Sequence, residues 1–422
     1  MTLKNPTTND VANKTVLIRV DYNVPLKQGE TGLEVAEPKR IEDSLPIIKF
    51  LQENDCKIIL MSHLGRPKGE RVEKLSLKPV AEYLRNKLEL PVKFISETVG
   101  ETVGETVKIA ATELQPREIL LLENLRFQPA ETKNDEVFAQ QLATLADIYI
   151  NEAFSASHRT HASMVGVSKL LPAFAGFHLQ KEVENLQRLM DRPEHPFVMI
   201  IGGAKISDKV EAVKNLHQIA DIVLIGGGVA NNFLKAEGIE THKSCLEDEA
   251  AGKEAVDYVA IAQKLIKDNQ TERMLKDGYI PLPKILAPID VVAAKDKASA
   301  DTEIIDLTHD MADTPNDKDL RYFDIGPRTI HLFTDLILQA KTIFWNGPLG
   351  VFEQEQFASG TREIARAVAK SGAETILGGG DTIAAIHQFG FEDRYDYVSS
   401  AGGAALEFLA GKELPGLVAV QK

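Results

Sequence analysis

Along this chain, short and nearly continuous apolar runs alternate with stretches whose apolar residues recur at helical spacing. In the first half the runs are "TVLIRV" (15–20), "KIILMS" (57–62), "EILLLE" (118–123) and "DIYINE" (147–152). The second half repeats the pattern in "FVMIIGG" (197–203), "DIVLIGG" (221–227), "TIFWNG" (342–347) and "ETILGG" (374–379). A strand apolar on both faces belongs to a parallel sheet covered by helices on each side. In such sheets ligands gather at the carboxyl ends of the strands, and here the glycines follow the strands. Between the halves, Leu179, Val183, Leu186 and Leu189 form a helical stripe closed by Pro193 and Pro196. It predicts a helix bridging two lobes of similar size. The region 295–321, rich in Asp, Lys and Ala, reads as exposed turns. "ETVGETVGETVK" (97–108) is a small tandem repeat, read as a local duplication without function.

A length of 422 residues allows two or three domains, each with its own core. The formal net charge of −14 argues against non-specific nucleic-acid binding and against an anionic membrane surface. No apolar run approaches a membrane span, and "MTLKNPTTND" lacks a signal pattern, so the expected location is the cytoplasm. Cys56 and Cys245 are far apart and lack metal-ligand spacing, which reads as two ordinary thiols. The 10 histidines include no His-Glu-x-x-His arrangement.

Three glycine turns follow strands in the second half: "GGAKISDK" (202–209), "GGGVANN" (226–232) and "GGGDT" (378–382). None fits the P-loop or the dinucleotide fingerprint. The last predicts a strand, a tight turn and a helix opening at Asp381–Thr382, where unpaired N–H groups suit an anion. An aspartate there would repel a bare phosphate, so the ligand it suits is a magnesium-bound nucleotide. Lys205 and Lys209, four apart, are expected to share a face of a helix start. The first half instead carries cations at its strand ends: Arg19, His63, Arg66, Arg126, His158, Arg159 and His161, with Arg40 nearby. In an acidic protein this predicts a local pocket for a small, highly anionic ligand such as a phosphorylated acid. Asp21 and Asn23 follow the first strand and suit a hydroxyl group. His158 and His161 read as hydrogen-bonding groups.

Nine stretches, "VLIRVDYNVP", "RIEDSLP", "SHLGRP", "LLLENLRF", "HRTHAS", "GGAKISDK", "WNGPLGVFE", "GGGDT" and "GKELPG", together resemble the phosphoglycerate kinase family, in its order across nearly the whole chain. The resemblance implies an α/β fold of two doubly wound parallel-sheet domains, Rossmann-like and three-layered, joined by a hinge helix. It implies a 3-phosphoglycerate domain at 1–177, a linking helix at 178–192, a nucleotide domain at 193–395 and a segment at 396–422 returning to the first domain. It implies reversible magnesium-dependent phosphoryl transfer between 1,3-bisphosphoglycerate and ADP, giving 3-phosphoglycerate and ATP, by a monomer whose domains close on a hinge. Carried over residue by residue, Asp21, Asn23, Arg40, His63, Arg66, Arg126 and Arg159 bind the glycerate. Lys205, Lys209, Asn346, Glu353, Gly379, Gly380, Asp381 and Thr382 serve the nucleotide, with Glu353 at the ribose and Asp381 on Mg2+. Arg40, Lys205, Gly379 and Gly380 are the expected catalytic contacts.

Several positions depart from the family pattern. "NEAFS" has Glu152 and Ser155 where the family usually has Asp and Gly, and "YFDIGP" has Tyr322 for a glycine. A ring there would stack on the base or crowd it, shifting nucleotide preference. "SSAGGA" has Ala401 for a glycine, with an expected backbone cost if that position needs positive φ. Tyr322 and Ala401 keep open a catalytically silent nucleotide-binding or scaffold protein on the same fold. A dinucleotide-dependent dehydrogenase would need a glycine fingerprint that is absent.

Overall fold

The computed structural model describes residues 1–30, 32–96, 105–247, 256–268, 273–275, 278–280, 283–308 and 319–421. The chain forms two compact units, Met1–Glu184 with Glu413–Lys422, and Asn185–Lys412. Helix Phe177–Asp191 carries the boundary, and its stripe residues Leu179, Val183, Leu186 and Leu189 are all buried.

In the first unit β1 (Thr15–Arg19) is followed by a hairpin, β2 (Leu26–Gln28) and β3 (Leu33–Val35). Then come β4 (Lys57–Met61), β5 (Val92–Phe94), β6 (Ile119–Leu121), β7 (Ile148–Asn151) and β8 (Ala173–Ala175). The sheet order is β5-β6-β4-β1-β7-β8, with every neighbouring pair parallel. Val16, Leu17 and Ile18 of β1 are fully buried, as are Ile58, Ile59 and Leu60 of β4, because both faces are covered. On one face Ile18, Ile58 and Leu60 join Ile47, Ile48 and Leu51 of helix Leu45–Glu53 and Val80 and Leu84 of helix Lys78–Asn86. The chain's end is tied into this unit by backbone: Lys4 N–H donates to the Val420 carbonyl at 2.9 Å, and Gly416 N–H to that of Ser157 at 2.8 Å.

The second unit contains β9 (Phe197–Ile201), β10 (Ile222–Ile225), the hairpin β11 (Arg273–Leu275) and β12 (Gly278–Ile280), and β13 (Ile285–Leu286). It continues through β14 (Asp290–Ala294), β15 (Glu303–Asp306), β16 (Arg321–Ile325), β17 (Thr342–Asn346), β18 (Glu374–Gly378) and β19 (Tyr397–Ser399). Its main sheet runs β13-β10-β9-β17-β18-β19, all parallel, and β15-β14-β16 form a small antiparallel sheet.

All eight apolar runs are strands, and the fold is the expected pair of parallel α/β sheets. Three expectations change, and a fourth lies largely outside the described residues. The last segment stays with the second unit until Lys412, because Tyr397–Ser399 pairs with β18 as its edge strand; the part belonging to the first unit begins at Glu413 rather than 396. Region 295–321 is not all exposed turn: Ile305 in β15 and Leu320 are buried, while 309–318 lie outside the described residues. Of the tandem repeat, 97–104 lie outside the described residues, and the remainder opens helix Glu105–Glu113. Ala401 bears no strain of the kind feared, since the positive φ of +55° falls on Gly402. Among the described residues no helix is long and apolar enough to cross a membrane.

Candidate active site

In the first unit the basic residues lie at the carboxyl ends of β6, β4, β1 and β7, four adjacent strands. Parallel pairing puts all four ends on one edge. Asp21 and Asn23 follow β1, His63 and Arg66 follow β4, Arg126 follows β6 and Arg159 follows β7, while Arg40 rides on the short helix Lys39–Glu42. Arg40 Nη1 donates to Asp21 Oδ2 at 2.9 Å and to the Asn23 carbonyl oxygen at 3.1 Å. Ser155 Oγ donates to the same Asp21 Oδ2, so the departure at Ser155 lies within the site. Asn23 Oδ1 accepts Gly65 N–H at 2.9 Å, and Arg126 Nη1 donates to the Gly65 carbonyl at 2.7 Å. These bonds lock the 21–23 and 63–66 loops together and aim the side chains from rigid strand ends. Arg66 is exposed, Arg159 half-buried, and Arg126 and His63 buried. Burial first, then the guanidinium groups of Arg19 and Arg159, hold the His63 imidazole well below its usual range.

Arg19 is not a pocket-wall cation. It is completely buried, and its donors go to Ser163 Oγ, the Val20 carbonyl and the His63 ring. Glu131 and Ser163 complete this network; Ser163 closes the "HRTHAS" stretch but was assigned no role, and Glu131 carried no sequence signal, since a lone glutamate looks like a surface residue. His158 Nε2 accepts from Arg159 Nε at 3.1 Å, and His161 Nδ1 lies 3.6 Å from Glu131 Oε1.

In the second unit glycines follow β10, β9, β17 and β18, again four neighbouring strands. The turns do not all need glycine for one reason. A Cβ on Gly202 would lie 2.1 Å from the Pro348 carbonyl oxygen, and one on Gly228 would lie 2.5 Å from that of Ala204. Those two turns are glycine because backbone packs on backbone. Gly380, at the start of helix Gly380–Gln388, faces open space instead. That helix starts one residue before the expected Asp381.

Among the described residues, two cavities large enough for a ligand group adjoin these turns. One of about 340 Å³ is walled by Gly203, Gly228, Tyr322, Phe323, Glu353 and Asp381, among others. The other, about 470 Å³, is lined by Lys209, Asn346, Gly379, Gly380, Asp381 and Thr382, among others. Asp381 borders both and is exposed. Lys209 Nζ donates to Asn346 Oδ1 at 2.8 Å, and Asn346 Nδ2 is buried with no hydrogen-bond partner among the described residues. Burial pulls the Lys209 ammonium below its usual range, opposed by Asp208 and Asp381. Thr382 is fully buried, and its Oγ1 accepts Gly347 N–H at 2.7 Å.

Lys205 and Lys209 do not share a helix face as expected. Helix Val210–Leu216 starts only after Lys209, and Lys205 is exposed in the preceding loop. The buried Ile206 anchors that loop, while Ser207 gives both N–H and hydroxyl to Glu247, at 2.9 and 2.7 Å. Tyr322 is part of the first cavity's wall. It is only 9 % exposed, its hydroxyl donates to the Glu240 carbonyl at 2.8 Å, and its own N–H donates to Ser244 Oγ.

The family model described as phosphoglycerate kinase matches residues 7–412. A phosphoglycerate kinase of Moorella thermoacetica is 46% identical over 100% of this chain and 98% of its own length. One of Finegoldia magna is 45% identical over 97% of this chain and 96% of its own. Among solved structures, the phosphoglycerate kinase of Coxiella burnetii superposes with a TM-score of 0.78 at 37% identity, covering 97% of this chain and 96% of that one. The chain therefore belongs to the phosphoglycerate kinase family, kinases that transfer a phosphoryl group from 1,3-bisphosphoglycerate to ADP in glycolysis.

Proposed function

We propose that the basic edge of the first unit holds 3-phosphoglycerate or 1,3-bisphosphoglycerate, and that the glycine turns of the second hold Mg-ADP or Mg-ATP. The observation that carries this reading is the division of labour between two carboxyl edges: pocket cations after β6, β4 and β7, with Asp21 and Asn23 after β1 between them, in one unit, and glycine turns on four adjacent strands in the other. Arg40, Arg66, Arg126, Arg159 and the His63 ring face the glycerate's charged ends, and Asp21 with Asn23 orients its hydroxyl. The N–H groups of Gly379 and Gly380, with Lys205, Lys209 and Asn346, serve the phosphates. Glu353 takes the ribose, and Thr382 holds the turn through Gly347.

Asp381 fits a magnesium ion held with the nucleotide. It borders both cavities, and among the described residues no group of three or more His, Cys, Asp or Glu side chains surrounds it. That suits an ion whose remaining ligands are phosphate oxygens and water. When bound, the ion neutralises phosphate charge.

The transfer runs directly between a carboxylate oxygen and the terminal oxygen of ADP. Both nucleophiles are anions, so no general base is required. The chain's task is alignment and neutralisation of crowded negative charge. Arg40 and Lys205 are the contacts that strengthen on the migrating phosphoryl group, and domain closure on the hinge excludes water from the acyl phosphate. The working form is a cytoplasmic monomer. Its exposed large hydrophobics, among them Val137, Leu170, Ile304 and Leu338, are scattered over separate elements.

The test supplies ATP, 3-phosphoglycerate and magnesium and consumes 1,3-bisphosphoglycerate in a coupled NADH-oxidising step. Wild type should turn over rapidly, and Lys205→Ala should lose roughly a hundredfold or more. A Lys205→Ala enzyme within twofold of wild type would remove Lys205 from the reaction.

A further inference from the structure

Arg19 buries a full positive charge, which is costly unless the charge is paired and hydrogen-bonded. Its Nε donates to Ser163 Oγ at 2.9 Å, its Nη1 to the Val20 carbonyl, and its Nη2 lies 3.0 Å from His63 Nδ1. Behind Ser163 stands Glu131, also fully buried, which accepts Ser163 N–H at 3.0 Å and its hydroxyl at 2.6 Å. A single hydroxyl thus bridges the buried guanidinium and the buried carboxylate.

The polarity of the contact to His63 has one solution. A guanidinium carries only donors and does not deprotonate in proteins, so His63 Nδ1 accepts. The ring's one remaining proton then sits on Nε2. A proton on Nδ1 would face the Arg19 N–H directly, and Arg159, His161 and Arg40 also act on the ring as neighbouring charges.

We infer that Arg19 is a positioning residue for the phosphoryl-transfer reaction, holding His63 as a neutral ring in its Nε2–H form so that it presents a fixed donor to the glycerate ligand. The inference rests on the reading of His63 as part of the glycerate pocket. Such a donor binds an anionic oxygen without adding another charge that titrates among the arginines.

Long-range 1H–15N spectra of the full-length protein test this without any substitution, with His63→Gln assigning the signals. Between pH 6 and pH 8 the His63 ring should show a protonated Nε2 and an unprotonated Nδ1, and 3-phosphoglycerate should shift the Nε2 signal. An Nδ1–H ring, or one titrating near the ordinary value of about 6.5, would overturn the inference. An Nε2–H ring that ignores saturating 3-phosphoglycerate would instead overturn the pocket reading. Arg19→Met provides the kinetic test. Relative to wild type, its KM for 3-phosphoglycerate should rise roughly tenfold at pH 8. It should fall back toward wild type at pH 6, where the imidazolium again presents Nε2–H. A uniform rise at both pH values is what a merely structural role gives, and it would refute the positioning role. Should Arg19→Met fail to fold, Arg19→Lys keeps the cation, and the wild-type spectra decide alone.

Discussion

Gly379 and Gly380 are neighbours in one turn, yet alanine should have opposite effects at the two positions. Gly379 sits at φ 96° and ψ 133°, a backbone conformation that side chains rarely adopt. A Cβ there would lie 3.1 Å from Asn346 Nδ2 and 3.4 Å from Asn346 Oδ1. Asn346 has little room to yield: it is 1% exposed, and its Oδ1 is held by Lys209 Nζ at 2.8 Å. Strain at such a backbone costs about 1–3 kcal/mol, and the methyl contact adds to it. At Gly380 no atom lies within 4 Å of the added methyl, and φ is not positive. Alanine there stabilises by about 0.4–1 kcal/mol by restricting the unfolded chain. The two variants should therefore differ by about 1.4–4 kcal/mol, or roughly 3–16 °C in Tm at about 2–4 °C per kcal/mol for a unit of this size.

Differential scanning calorimetry reads the stability, and nucleotide KM reads the consequence. Gly379→Ala should be less stable and raise nucleotide KM, because displacing Asn346 displaces Lys209. Gly380→Ala should keep or gain stability while raising nucleotide KM, since its methyl enters the cavity. Equal melting temperatures for the two variants would refute the reasoning.

Tyr322→Phe loses the 2.8 Å bond to the Glu240 carbonyl and should cost about 1 kcal/mol of stability with nucleotide KM little changed. Tyr322→Gly opens the wall and should change the ratio of ADP to GDP specificity; an unchanged ratio would mean the ring does not meet the base. Burial pushes the Asp324 carboxyl up to about 8, opposed by the N–H groups of Gly360 and Ile325. Its contribution is complete below the ordinary carboxylate value and is lost as pH rises through about 8, so the stability of wild type relative to Asp324→Asn should fall from pH 5 to pH 8 in urea melts. Ser155→Ala removes a donor from Asp21 Oδ2 and should raise KM for 3-phosphoglycerate roughly three- to tenfold, with Ser155→Thr restoring it. Equal KM values in Ser155→Ala and wild type would remove Ser155 from the pocket.

Central strands were readable in the sequence because burial on both faces demands unbroken apolar runs. In the two main sheets the strands that escaped notice, Val92–Phe94, Ala173–Ala175, Ile285–Leu286 and Tyr397–Ser399, are the four outermost and are two or three residues long; the small antiparallel sheets were not foreseen either. An edge strand has one neighbour and leaves no periodic stretch long enough to see. Lys205 and Lys209 misled for a related reason. Spacing by four implies a shared face only once a helix has begun, and a loop anchored by Ile206 delays that start to Val210.

The partners of the site residues were hidden for a different reason. In and behind the basic pocket, backbone carbonyls help hold the cations: Asn23 for Arg40 and Gly65 for Arg126 in the wall, and Val20 for the buried Arg19. A carbonyl oxygen has no signature in the amino-acid sequence, but strands ending together on one edge of a parallel sheet supply a row of them. In an acidic chain, repulsion among clustered arginines is offset locally by these dipoles and by Asp21, which needs no large complement of carboxylates. A pocket filled with carboxylates would be neutral and would have little attraction for a phosphorylated acid. Held by dipoles, it keeps its positive charge for the ligand. The same economy explains why His63 is better neutral: one more cation would add repulsion, whereas a fixed N–H adds a donor.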